Sequence, residues 1–392
     1  MKLIGYMRSF LFPEIAFPFL YFLFLFSAFL SYNIESTSRF LSSPSIMSYI
    51  LSVLGITIFI ISARLARRIK IPNSNLWVIP LILGGFGYIT LDLAFSMNPV
   101  VKIMISGGFA ISLWFISKNI DKVALLTYAS FFLALVATLL ILSRGVPILN
   151  PVFREESAVT PLRALFHGFA VFSAALLSIH QNRRYILGVF FLAFLGIISG
   201  FKSDAIAILI SATIAGILVR EVKTRDILAV FATILFILTI VSTYIARSSY
   251  GEWSIHPMLY IFYRMGFTFS VFDKIVAMSL PFGVTFGKAL LSPSQEIIST
   301  VVLNYDTPHI ITSSLFGPGT LDFGILGLIL TACTIGALLG IFHEMIEKPV
   351  QACLYSIALT HAFILVEVGL QPTSFIFLFS LFYLAIEARE KE

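Results

Sequence analysis

Charge is what this sequence has least of: Asp, Glu, Lys and Arg make up 12% of its 392 residues, about half the share of a soluble domain. With 58% hydrophobic residues and a mean hydropathy of +0.98, an ordinary soluble fold is excluded. One very large soluble core fails too, because apolar runs of bilayer-spanning length recur from end to end. Cysteine is nearly missing. Cys333 and Cys353 both fall within apolar runs, so neither a disulfide framework nor a cysteine metal site is indicated. There is no Walker A loop, no His or Cys cluster at metal-ligand spacing and no stretch fit for a soluble nucleotide-binding domain. This speaks against an ATP-driven pump and against a nucleotide-sugar enzyme with a cytosolic domain. The energy for any synthesis must then arrive in the substrate, and no cofactor is expected. A strong internal repeat is also missing, and the main charges inside apolar runs are Asp92 and Glu367. Inverted-repeat and ion-coupled transporters need more than that. Asp92 reads as a helix-packing hydrogen bond or as a proton relay.

What is present is a series of helices. Runs and breakers together give an all-α polytopic membrane protein of about twelve transmembrane helices, near 13–31, 45–63, 76–97, 99–117, 123–143, 162–180, 185–199, 203–219, 227–246, 321–342, 350–367 and 373–388. The apolar stretch Phe17 to Leu30 follows basic Lys2 and Arg8 but lacks a cleavage site, so it reads as the first span rather than a signal peptide. A net charge of +6 would in a soluble chain suggest nucleic acid; here the cations cluster between spans and read as topology determinants facing a lipid bilayer. Arg64, Arg67, Arg68 and Lys70, then Lys118 and Lys122, Arg183 and Arg184, Arg220, Lys223 and Arg225, Lys348, and finally Arg389 and Lys391 mark alternate connections. Both termini are then cytoplasmic in a multi-pass protein of the cell membrane.

Several outward connections nonetheless carry cations. The loop 144–163, within SRGVPILNPVFREESAVTPLR, has Arg144, Arg154 and Arg163, the turn SGFKSD (199–204) has Lys202, and the polar interval 247–320 adds Arg247, Arg264, Lys274 and Lys288. As a group they suit an anionic ligand at the outer face, since Arg offers a planar fork to phosphate; singly, each can equally pair with Glu155, Glu156, Glu252, Asp273, Asp306 or a lipid head group. The interval 247–320 separates the first nine spans (1–246) from the last three (321–392) and is the densest in polar residues. Within it, 258–278 reads as an amphipathic helix lying at the outer interface or dipping into it, because a full span would reverse every later loop. Arg264 then sits at lipid-phosphate depth or merely snorkels there. His309, Asp306 and Glu296, with His256 and Glu252 nearer the start, are the side chains able to take a proton from a sugar hydroxyl. Asp322 accepts a sugar hydroxyl, pairs with an outer Arg or caps the next helix.

In order and spacing, the loop SRGVPILNPVFREESAVTPLR, the turn SGFKSD, the stretch YRMGFTFSVFDKIV and the segment TSSLFGPGTLDFGILG, from about Arg144 to Gly327, resemble the O-antigen polymerases of archaea. These are relatives of the Wzy-type oligosaccharide repeat-unit polymerases. The resemblance implies a glycosyltransferase of the GT-C type, working outside the membrane on polyprenyl-diphosphate-linked oligosaccharides as donor and acceptor. It further implies metal-independent chemistry, with a flippase and a chain-length regulator as partners. Carried onto this chain, Arg144, Arg154, Lys202, Arg247 and Arg264 are the diphosphate-binding candidates, His309 or else Asp306 or Glu296 the base, and Tyr250, Trp253, Tyr260 and Tyr263 sugar-stacking or interface residues. Lys202 departs from the resemblance, standing where Arg is common. A ligase using the same donor, and a flippase of lipid-linked sugars, are the rival readings.

Overall fold

The computed structural model describes residues 8–390 apart from 70–77, 95–97, 159, 181–183, 221, 223, 251–254, 293 and 306–310. Among the described residues every regular element is helical. The principal helices are α1 (Pro13–Asn33), α2 (Ile46–Ala66), α3 (Val78–Ala94), α4 (Pro99–Lys118), α5 (Val123–Leu142), α6 (Pro151–Ala158), α7 (Pro161–Ile179), α8 (Arg184–Ile198), α9 (Lys202–Val219), α10 (Thr224–Phe236), α11 (Ser242–Tyr250), α12 (Pro257–Ser279), α13 (Gly317–Glu344), α14 (Pro349–Val368) and α15 (Pro372–Glu390). A π-helical turn, Ile237–Val241, joins α10 to α11. Proline opens α1, α4, α6, α7, α12, α14 and α15, the position where its missing N–H costs nothing and its fixed φ suits the first turn.

Every apolar run read from the sequence holds a helix whose ends lie within a few residues of those expected. Among the described residues ten helices are long and apolar enough to cross a membrane, while Val78–Thr90 and Tyr185–Ile198 are apolar but shorter. The chain is thus a multi-pass membrane protein, with ten spans by this measure.

The chain divides into two compact units. One comprises Met1–Leu11, Ile120–Ile261 and Ile346–Thr360. Here α7 packs on α5 and α9, and α8 on α9; Gly196 of α8 lies against the backbone of Ala205 of α9. Cys353 Sγ donates to the Ala175 carbonyl (3.3 Å) and the Tyr355 hydroxyl to that of Leu11 (2.7 Å).

The other unit comprises Phe12–Asn119, Phe262–Met345 and His361–Glu392. Its main contact is α13 along α2, where Gly336 and Gly340 let the backbones touch. A Cβ at Gly336 would lie 2.6 Å from the Phe59 carbonyl oxygen, and one at Gly340 would collide with that of Ala63. Gly340→Val is therefore expected to lower stability by about 1–3 kcal/mol, read as a lower unfolding midpoint in detergent. An unchanged midpoint would show that the two helices part freely. Arg67 closes one end of this packing with ion pairs to Glu14 of α1 (2.6 Å) and Glu344 of α13 (2.5 Å). Asp92 accepts from Lys102 of α4 (2.6 Å), a helix-packing contact of the kind expected. Lys102, only 5% exposed, was overlooked as an internal charge because it stands one turn inside α4 and reads as flanking.

The helix expected over 258–278 forms as α12, but one face is packed into the protein. Gly266, Thr268 to Phe272, Ile275 and Val276 are buried, Tyr32 of α1 donates to the Gly266 carbonyl (2.6 Å), and Phe269 meets Phe24 and Tyr49. Asp273 does not pair with a cation here; its Oδ1 accepts from Ser45 N (2.8 Å), Ser45 Oγ (2.6 Å) and Ser48 Oγ (2.6 Å), capping α2 from a neighbouring helix. After α12 the chain folds back. Thr312 to Asp322 is buried throughout, and α13 breaks at Phe323 and Gly324 (φ 59°, ψ −134°). The backbone freed at this break is satisfied by the 280s loop: Val284 N donates to the Leu321 carbonyl (2.8 Å) and Ile325 N to that of Pro281 (3.2 Å). Irregular backbone inside a membrane protein survives only when buried and paired in this way.

Candidate functional site

The turn between α8 and α9 is the centre of a basic cluster in the first unit. Gly200 (φ +79°) lets the chain reverse, and the alkyl part of Arg154 lies against it, 2.9 Å from where a Cβ would stand. Ile148 N donates to the Ile198 carbonyl (3.3 Å), so the loop after α5 is pinned to the end of α8. Arg154, 7% exposed, reaches Ser248 Oγ of α11 through Nη1 (3.4 Å). Arg163, at the start of α7, has its guanidinium over the Phe201 ring (4.0 Å) and its Nε 3.5 Å from Asp204 Oδ2. Lys202 stands over the ring of Tyr260 (5.0 Å). Three cations thus meet around one turn beside the carboxylate of Asp204, which is 2% exposed. Arrangements of this kind suit a dianionic group, because Arg holds phosphate oxygens bidentately and a site poor in water strengthens the attraction.

Asp204 and His167 were both missed from the sequence. His167 Nδ1 lies 3.0 Å from Asp204 Oδ1. The available signals were the i, i+4 spacing of Arg163 and His167, which puts both on one face of α7, and a carboxylate two residues after Lys202. Neither is strong without knowing that α7 packs on α9.

The second unit holds Arg264. Its Nε donates to Glu367 Oε1 of α14 (2.7 Å) and its Nη2 to Thr312 Oγ1 (3.1 Å), which also meets Thr268 Oγ1 (2.9 Å). The Tyr21 hydroxyl bonds Ser314 Oγ (2.9 Å) beside it in sequence. Arg264 is therefore held by a carboxylate of its own unit, and Glu367, noticed as an isolated internal charge, is its partner. Among the described residues Asp322 pairs with no arginine, and it caps a helix other than its own. Fully buried, its carboxylate accepts from Thr285 Oγ1 (2.5 Å), Ala289 N (2.9 Å) and Leu290 N (2.8 Å), at the start of the short helical turn Lys288–Leu291.

Of the other expected residues, Arg144, Arg247, His256 and Lys274 are exposed; Arg247 adjoins the Ser248 that Arg154 reaches, and His256 Nδ1 accepts from Met258 N (3.3 Å). Glu296 is half-buried in the turn Ser294–Ile297. His309 and Asp306, with Glu252 and Trp253, lie outside the described residues. Among the described residues no three His, Cys, Asp or Glu side chains come together as a metal site would need.

Comparison with known proteins bears on the whole chain. The family described as "Putative O-antigen polymerase" matches residues 10–379. An uncharacterized protein of Methanocaldococcus jannaschii is 27% identical over 245 residues, 61% of this chain and 59% of that protein's own length. No solved structure matches. Since the family match takes in the basic turn, the Arg264 site and nearly every helix, this chain belongs to the O-antigen polymerase family.

Proposed function

We propose that this protein is a membrane glycosyltransferase that polymerises polyprenyl-diphosphate-linked oligosaccharide repeat units at the outer face of the cell membrane, without a metal ion. The observation that carries the reading is the meeting of Arg154, Arg163 and Lys202 at the Gly200 turn. Together with Arg144 and Arg247 they would cradle the donor diphosphate and stabilise the charge that grows on it as the anomeric bond breaks, the electrostatic contribution that is usually largest in catalysis. Arg264, in the other unit, is a separate diphosphate-binding candidate, exchanging Glu367 for phosphate. His309, Asp306 and Glu296 remain candidates for deprotonating the acceptor hydroxyl. In this reading α3 and α8 cross with the other ten helices, both termini are cytoplasmic, α12 dips into the outer interface, and a flippase and a chain-length regulator act alongside. The opposite end of α7, α8 and α9, near Arg184 and Arg220, would then be the cytoplasmic one, as the bias of cations expects.

The test is polymerisation by purified protein in EDTA, given only synthetic polyprenyl-diphosphate repeat units and read as a mass ladder. Arg154→Ala is expected to lower kcat by about 10²–10³-fold, the loss of one preorganised donor, and Arg264→Ala to lower it as well. A ladder of wild-type strength from Arg154→Ala would remove the cradle. No ladder from wild-type protein that is folded and binds the lipid-linked sugar would overturn the polymerase reading in favour of ligation or flipping.

A further inference from the structure

The Arg163, His167 and Asp204 cluster contains more than a phosphate site needs. A buried carboxylate inside a membrane protein is costly and is kept where it is paired or used. Asp204 is 3% exposed at its side chain, takes Arg163 on one oxygen and His167 on the other, and lies in the first turn of α9. His167 is 21% exposed, so the imidazole bridges the buried carboxylate and the more open side of α7. An ionised carboxylate can only accept, so it holds the proton on Nδ1 and leaves the basic lone pair on Nε2. Arg163 stands one helical turn away on the same face of α7. Asp204 on α9 pairs with both His167 and Arg163 of α7.

We infer that His167, oriented by Asp204, is the group that accepts the proton of the attacking sugar hydroxyl, with Arg163 beside it on the donor diphosphate. This rests on the function proposed above. In the step, the acceptor O–H transfers its proton to His167 Nε2 while its oxygen forms the new bond to the anomeric carbon. The bond from that carbon to the diphosphate oxygen breaks, and the electron pair leaves with the polyprenyl diphosphate. The imidazolium formed lies against Asp204 and later returns its proton to solvent. His309, Asp306 and Glu296 are then not needed as the base.

The experiment measures kcat and KM of the full chain with a synthetic lipid-linked repeat unit. His167→Gln should lower kcat by about 10²–10⁴-fold and leave KM for the donor within a few-fold. A His167→Gln enzyme with wild-type kcat overturns the inference. Should that variant not fold, diethylpyrocarbonate labelling of wild type decides: inactivation must track modification of His167 and be slowed by donor, and inactivation that tracks another histidine overturns it. Wild-type protein without any polymerising activity would instead mark failure of the underlying function.

Discussion

Asp204→Ala is expected to destabilise the protein by about 3–5 kcal/mol, the cost of breaking a buried ion pair by removing one partner, and to abolish polymerisation. The carboxylate is 2% exposed and is the shared acceptor of Arg163 and His167. Without it the guanidinium still meets the Phe201 ring and Ser203 Oγ (3.5 Å), and the imidazole loses the acceptor that sets its tautomer. Because Arg163 is 30% exposed, it can turn partly to solvent, so the lower end of the range is the expected one. Asp204→Asn keeps an oxygen for one partner and should cost less stability while still impairing turnover. Unfolding by graded denaturing detergent gives the stability, and the mass ladder gives activity. An Asp204→Ala protein as stable and as active as wild type would show that the cluster is incidental.

The second large effect belongs to Gly324. Its φ of 59° with ψ of −134° is open essentially to glycine alone, and a Cβ there would collide with the Pro281 carbonyl oxygen and crowd Phe282 N at 2.8 Å. Gly324→Ala should cost about 2–6 kcal/mol, adding backbone strain to overpacking. The damage should spread along one route: the 280s loop shifts, its bonds to Leu321 and Asp322 are lost, and the turn Lys288–Leu291 loses its cap. Limited proteolysis should then cut within residues 280–291, where wild type resists. Gly107→Ala is the control, since nothing lies within 4 Å of a Cβ there; it is expected to be neutral or slightly stabilising. Equal behaviour of the two variants would show that the fold-back at Gly324 is not a rigid feature.

Legibility in the sequence followed the range of the forces involved. Hydropathy and helix breakers act locally, so runs such as 46–66 and 123–142 could be bounded to within a few residues before any contact was known. Proline at the first turn and a break at Gly200 did the same for α7 and α9. The order of loop, turn and Gly-punctuated segment was enough to recognise the family. The cations at 144–163 and 199–204 were legible as a group, because each stood against the expected charge bias of its connection.

Which charges answer one another was not legible, since an ion pair is chosen by which helices abut. Arg264 and Glu367 are 103 residues apart and His167 and Asp204 are 37 apart; nothing in the spacing links either pair. Asp322, read as a free acceptor or a cap for its own helix, caps a turn more than thirty residues earlier. The sequence by itself determined a multi-pass helical protein of the O-antigen polymerase family with an excess of cations in particular connections, because transfer of apolar side chains from water depends on each residue's own chemistry. The tertiary structure alone decided that Arg163 and His167 share Asp204, that Glu367 holds Arg264, and that Thr312 to Asp322 folds back into the interior. Those outcomes depend on close approach of backbones at Gly200 and Gly324 and on burial, which together select a carboxylate's partners.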